Sequence, residues 1–198
     1  HDALPIFAIS HMDIIEKLDE SFIHSKYKSI NDSKAIVIDT NLSMETIDFI
    51  TRNHNHLPIF VDTVSTAKCV KIKDILNRFE GIKLNKYEAE TLSGIKIENL
   101  DDAKKSCDYF IEKGVKSVFI TLSSDGVYCA NKEQTLHIPG VKIDIVNATG
   151  AGDAFMSGII YGFMNDLNIE ETAKFSVGAS ILALSHKNTI NPNLSEDL

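Results

Sequence analysis

Short apolar runs alternate with amphipathic stretches through the first two thirds of the chain. Runs of four or five apolar residues are strand-length, and spacing at three and four residues marks a helix with one buried face. On that basis "AIVID" (35–39), "LPIFVD" (57–62), "GIKLN" (81–85) and "SVFIT" (117–121) are predicted strands. Between them, "SMETIDFITRN" from Ser43, "VKIKDILNRF" (70–79), "KYEAETLSG" ending at Gly94, and "NLDDAKKSCDYFIEKG" ending at Gly114 are predicted helices. Asp101 and Asp102 in the last of these favour a helix start, and a glycine just past the final turn is the usual stop. After Thr121 the rhythm changes. "GVYCA", "TLHIPG" and "KIDIV" read as short strands of an antiparallel meander, followed by two helices, Ala151 to Asn165 and Ile169 to about His186.

Strand–helix alternation predicts an α/β fold: a mostly parallel sheet flanked by helices, with the meander at one edge before the C-terminal helices. No repeat or linker interrupts residues 1–198, so a single α/β domain is expected. In open sheets of this kind, ligands bind beyond the carboxyl ends of the strands. That edge collects Asp39, Asn41, Asp62, Asn85 and Thr121. "DTNLS" (39–43) and "DTVS" (62–65) repeat an Asp–Thr theme there, which serves either helix capping or ligand contact.

Composition narrows the function classes. The net charge of −8 disfavours a nucleic-acid surface. The densest basic patch, "KCVKIK" (68–73), reads as a solvated helix face. The longest apolar runs, such as Ile159 to Phe163, are too short to cross a bilayer, and "HDALPIFAISHMDII" lacks the features of a secretory signal. A cytoplasmic protein with no membrane or nucleic-acid partner is expected. Cys69, Cys107 and Cys129 are odd in number and far apart, which disfavours both a disulfide framework and a CxxC metal site. His54 and His56 lie beside asparagines in what reads as a polar loop.

The chemistry gathers at "NATGAGDAFMSG", Asn147 to Gly158. A helix starting near Gly150 leaves its first N–H groups unpaired, and its dipole favours an anion there. Gly150, Ala151 and Gly152 let an oxygen-rich group approach those amides closely. Asp153 then falls in the first turn. A carboxylate beside a phosphate site repels a simple anion, yet it suits removal of a proton from a hydroxyl about to attack phosphorus. The structural alternative is an acid that merely complements the dipole. Gly158 and Gly162, four apart, read as a close helix contact. No GxxxxGK[ST] loop or early GxGxxG occurs, so amides, dipole and Mg²⁺ would carry the charge stabilisation.

Two other constellations have double readings. In "NKYE", Asn85 and Glu88 either form a capping box or serve phosphates and a water on Mg²⁺. In "TLSSDG", Thr121 to Gly126, a strand end runs into a turn of the Asp-Gly type.

Taken together, "NATGAGDAFMSG", "LNKYEAE" and "TLSSDGVY" resemble the ribokinase-like (PfkB) family of carbohydrate and nucleoside kinases, in the family's order. "VDTVSTAKCVKIKDILNRFEGIKLNKYEAETLSGI" (61–95), Asn147 and the late "NPNLS" (191–195) are most similar to its pseudouridine-phosphorylating branch. The resemblance implies ATP and Mg²⁺ as cofactors, a small nucleoside or sugar as partner, and room for a homodimer. It implies Asp153 as catalytic base and Gly150, Ala151 and Gly152 as the anion hole. Asn85, Thr121, Ser123, Asp125, Gly126, Thr149, Gly178 and Ala179 would contact the nucleotide, and Glu88 would serve the metal. Four positions depart from the family pattern. Asn147-Ala148 replaces Asp-Thr, which bears on a monovalent cation; Ser123 replaces a usual Gly; and Thr63 replaces an expected Pro. The family's N-terminal strands and lid have no counterpart, so the expectation is the nucleotide-binding and catalytic part of such a kinase. Rivals are a sugar kinase of the same family and a non-catalytic nucleotide-binding module.

Overall fold

The computed structural model describes residues 12–192; the N-terminal "HDALPIFAISH" and Asn193 to Ser195 of "NPNLS" lie outside them. Six strands form one sheet in the order β1-β2-β3-β4-β5-β6. β1 (Ile36–Asp39), β2 (Ile59–Asp62), β3 (Gly81–Asn85) and β4 (Ser117–Thr121) are parallel. β5 (Val127–Asn131) and β6 (Thr135–Ile138) complete the sheet antiparallel. The expected architecture is therefore present, helices on both faces included.

Strand alternation divides the core in two. Ile59, Val61, Ile82, Leu84, Val118 and Ile120 face one cluster, covered by α3 (Met44–Asn53), α5 (Lys86–Ser93) and α6 (Leu100–Glu112). Phe60, Phe119, Val127 and Cys129 face the other, where Phe155, Met156 and Ile159 of α7 (Ala151–Met164) meet Ile169 and Ala173 of α8 (Ile169–Leu184). Ser43, Asn85, Asn99 and Asn168 cap α3, α5, α6 and α8 through their side chains. Gly158 and Gly162 let α7 and α8 touch: a Cβ on either would overlap Ser176 or Thr172. α1 (Glu20–Ser25) and α2 (Tyr27–Asn31) precede β1, whose Val37 is exposed at the sheet edge.

Four expectations are corrected. The helix expected at 70–79 starts earlier, as α4 (Thr66–Cys69), and continues as a 3-10 helix over Val70–Arg78 with a break at Ile75. Cys69, Ile72 and Ile75 are buried at intervals of three, the spacing that aligns side chains along a 3-10 helix. "KIDIV" forms no strand. With no partner strand beyond β6 among the described residues, the N–H groups of its Val146 and of the following Asn147 donate instead to the Leu184 carbonyl at the end of α8, and Ile145, Val146 and the preceding Val141 stay exposed. The lysines of "KCVKIK" are not simply solvated. Lys71 Nζ donates to the Thr40 and Leu42 carbonyls at 3.0 and 2.8 Å, and Lys68 Nζ donates to Asn41 Oδ1. Finally, His54 lies in the turn just after α3, as expected, but its side chain is not in a polar setting: it is fully buried, beside Tyr27.

Candidate functional site

Among the described α-helices of eight residues or more, α7 alone starts without a side-chain cap. Gly150 occupies the cap position at φ 87°, a conformation that favours glycine. A Cβ there would stand 2.6 Å from the Thr189 carbonyl oxygen, so the C-terminal segment also demands a bare position. Ala151 and Gly152 are half-buried and Asp153 is exposed, its carboxylate at the surface rather than among hydrocarbon. Ser180 of α8 donates to the Ala151 carbonyl at 2.8 Å and holds the turn from behind. Asn147 closes the approach: its Oδ1 accepts the Thr149 N–H at 3.0 Å and its Nδ2 donates to the Lys187 carbonyl. The neutral carboxamide thus does local turn work, and Thr149 itself is exposed.

At the end of β3 both readings of "NKYE" bear on one structure. Asn85 and Glu88 form a complete capping box. Glu88 is nonetheless more than a cap. It is 1% exposed, and its carboxylate accepts the Asn85 N–H at 2.8 Å, the Asn85 side-chain amide at 2.7 Å and the Thr63 hydroxyl at 2.6 Å. A proline at Thr63 would lack that hydroxyl, so the departure from the family pattern adds a donor to a buried carboxylate. Burial, reinforced by the Glu88 charge, pushes the Cys69 thiol up to about 11, which keeps it unreactive.

Among the described residues, no group of three or more His, Cys, Asp or Glu is placed to hold a metal. Glu88 has about one uncommitted lone-pair direction left of roughly four. This donor set fits a Mg²⁺ ion carried on phosphates with its waters retained, the water meeting a single carboxylate, and does not fit a protein cage.

The turn after β4 explains a second departure. Ser123 lies at φ 54°, the left-handed region where glycine is at ease. Gly126 follows at φ 89°, and any Cβ there would overlap the Ile138 carbonyl. Thr121 donates to the Leu84 carbonyl at 3.3 Å, while Ser123 and Asp125 are exposed. On α8, a Cβ added at Gly178 would meet no atom of the described residues within 4 Å. Ala179 is buried against Ala154 and Ala183, so its side chain joins the helix contact rather than an open surface.

One charged pair was not singled out by sequence reasoning. Asp62 and Lys83 are register partners on β2 and β3 and form a 2.8 Å ion pair, their side chains 14% and 12% exposed. The available signal was a lysine inside "GIKLN", since central strands of a parallel sheet are ordinarily apolar throughout. Asp39 at the next strand end folds back on Asn41, accepting its N–H at 2.8 Å. The Asp–Thr theme therefore splits, Asp39 into a local turn and Asp62 into an ion pair. A cavity of about 800 Å³, lined by Arg52, His56, Arg78 and Phe163, lies at the opposite ends of the strands from these groups.

A family model described as pfkB family carbohydrate kinase matches residues 18–196. The chain belongs to this family. Within it, the chain is 36% identical to pseudouridine kinase of Escherichia coli K12 over 192 residues, covering 96% of this chain and 61% of that protein. An uncharacterized sugar kinase of the same organism is 27% identical, covering 99% of this chain and 54% of its own length. Among solved structures, ribokinase from Thermotoga maritima superposes with a TM-score of 0.74 at 23% identity, over 87% of this chain and 57% of that one, a likeness of fold. A carbohydrate kinase from Agrobacterium tumefaciens gives 0.79 at 22%, over 97% and 62%. The chain spans about three fifths or less of each of these relatives. No helix among the described residues is long and apolar enough to cross a membrane.

Proposed function

We propose that this pfkB-family chain is the nucleotide-binding and catalytic part of an ATP-dependent kinase that phosphorylates the 5′-hydroxyl of a nucleoside, with pseudouridine as the first substrate to test. The reading is carried by one observation: an exposed carboxylate, Asp153, in the first turn of a helix whose start is left bare by Gly150. A binder of nucleotide alone gains nothing from a negative charge beside a phosphate.

In this mechanism the N–H groups at Gly150, Ala151 and Gly152 receive the transferred phosphoryl group. Asp153 takes the proton of the acceptor hydroxyl as its oxygen attacks the γ-phosphorus in line. Asn85 and Glu88 would serve the phosphates, and the one free lone pair of Glu88 would hold a water of the metal. When bound, Mg²⁺ neutralises charge on the phosphate oxygens. Thr121, Ser123, Asp125 and Gly126 with Thr149 and the Gly178 turn of α8 border the nucleotide. Pseudouridine is favoured by the 36% identity that runs through almost the whole chain.

A second reading, a sugar kinase, is favoured by a 39% identity over 87 residues to ribokinase of Staphylococcus aureus. A screen of pseudouridine, other nucleosides, ribose and fructose, coupled to ADP release, separates the two. Turnover confined to sugars overturns the nucleoside assignment, and ATP binding without turnover on any acceptor overturns the kinase.

A further inference from the structure

The ion pair between Asp62 and Lys83 is expensive where it stands. Removing two charges from water costs several kcal/mol per ion, and the mutual attraction seldom recovers more than that. Both side chains are largely covered, and both sit at the carboxyl ends of parallel strands, where this class of fold places its ligands. Asp62 is fixed from two sides. Its Oδ2 accepts from Lys83 Nζ at 2.8 Å and its Oδ1 from the Val64 N–H at 3.1 Å. Val64 is itself strained, a β-branched residue held at φ 56°.

Lys83 points at α7. Ile82 and Leu84 are buried toward the α5 and α6 face, so Lys83 lies on the α7 and α8 face of the sheet. A Cβ on Gly152 would stand 2.9 Å from Lys83 Nζ, and apart from Lys83 nothing among the described residues outside its own helix turn lies within 4 Å. The missing side chain of Gly152 therefore leaves room for the lysine's charged end. Asp62 is the one acceptor of that ammonium among the described residues, which leaves two of its three N–H bonds unspent.

We propose that Lys83 is a catalytic residue of the phosphoryl transfer and Asp62 its positioning residue, a reading that rests on the kinase proposal above. The ammonium meets the transferred phosphoryl oxygens from the sheet side, opposite the amides that meet them from the helix. During the step the acceptor oxygen bonds to phosphorus, and the bond from phosphorus to the β,γ-bridging oxygen breaks with its electron pair leaving on ADP. The hydroxyl proton goes to Asp153, and Lys83 keeps its own protons throughout. A fixed positive charge is supplied by a strand rather than by a P-loop.

The test uses the protein at its full natural length, with Lys83→Met, Asp153→Asn and wild type compared by calorimetry with MgATP and MgADP and by steady-state kinetics. Lys83→Met is expected to lower kcat by about 10²–10³-fold, as loss of one preorganised donor does. It should also erase the preference for ATP over ADP while leaving ADP affinity within about threefold. If Lys83→Met leaves Asp62 unpaired and fails to fold, the Asp62→Asn/Lys83→Met pair, neutral on both sides, carries the same measurement. Equal loss of ATP and ADP binding would make Lys83 merely structural and overturn the inference. So would kcat within about threefold of wild type in Lys83→Met while Asp153→Asn is inactive, and that outcome leaves the kinase reading standing. A wild-type protein that binds no ATP would overturn both.

Discussion

Thr63 Oγ1 donates a 2.6 Å hydrogen bond to Glu88 Oε2, tying the end of β2 to the first turn of α5. Because Glu88 is buried, this donor takes the place of one of the waters that a solvated carboxylate would bind. Thr63→Val keeps the shape and removes the hydroxyl, and it should destabilise the protein by about 1.5–3 kcal/mol, the range for a hydrogen bond to a charged group. Urea denaturation checks this through a lower midpoint at unchanged slope. An unchanged midpoint would mean that Glu88 is satisfied without Thr63.

Asp153→Asn tests the base. The side chain is exposed, so fold and ATP affinity should survive, while kcat falls by about 10²–10⁴-fold, the usual contribution of a positioned proton acceptor. Most of the wild-type kcat surviving would remove Asp153 from the mechanism.

The loop after β4 should respond with opposite signs at positions three residues apart. Ser123→Gly relieves a left-handed residue, and a gain of up to about 1 kcal/mol is expected. Gly126→Ala drives a methyl into the Ile138 carbonyl and should cost about 3 kcal/mol or more. Thermal melts of the two variants give both signs directly.

His54 gives stability a pH dependence. Its Nδ1 pairs with Asn31 Oδ1 at 2.8 Å, and its Nε2 is buried with no partner among the described residues. Burial first, and neighbouring His56 second, hold its pKa below the ordinary 6.5. The unfolded chain therefore binds the proton more readily than the folded one. The contribution is complete above 6.5 and is lost as the pH falls from there through the depressed native value. Urea midpoints at several pH values should drop on acidification below 6.5, and the drop should flatten in His54→Gln.

Gly158→Ala should destabilise by about 1–3 kcal/mol through overpacking, since the new methyl meets the Ser176 backbone across the α7–α8 contact. Calorimetric melting reads this. A neutral result would mean that the two helices can separate without loss.

What the sequence determined by itself was local. Strand-length apolar runs, helix caps such as Ser43 and Asn85, and the corner at Gly150 to Asp153 were legible, because each is fixed by residues within one turn or one strand. Family membership was legible for the same reason, the motifs being short and ordered. Contacts made across the sheet were decided only by the tertiary structure. "KIDIV" has strand composition but no strand to pair with among the described residues, and His54 has a polar setting in sequence yet is covered by Tyr27 and Asn31. Thr63 and Glu88 are 25 residues apart, and Asp62 and Lys83 are 21 apart. No periodicity links such pairs. Parallel pairing of β2 with β3 brings their ends together, and whether a charge there is solvated, paired or aimed at a ligand is settled by what packs above it.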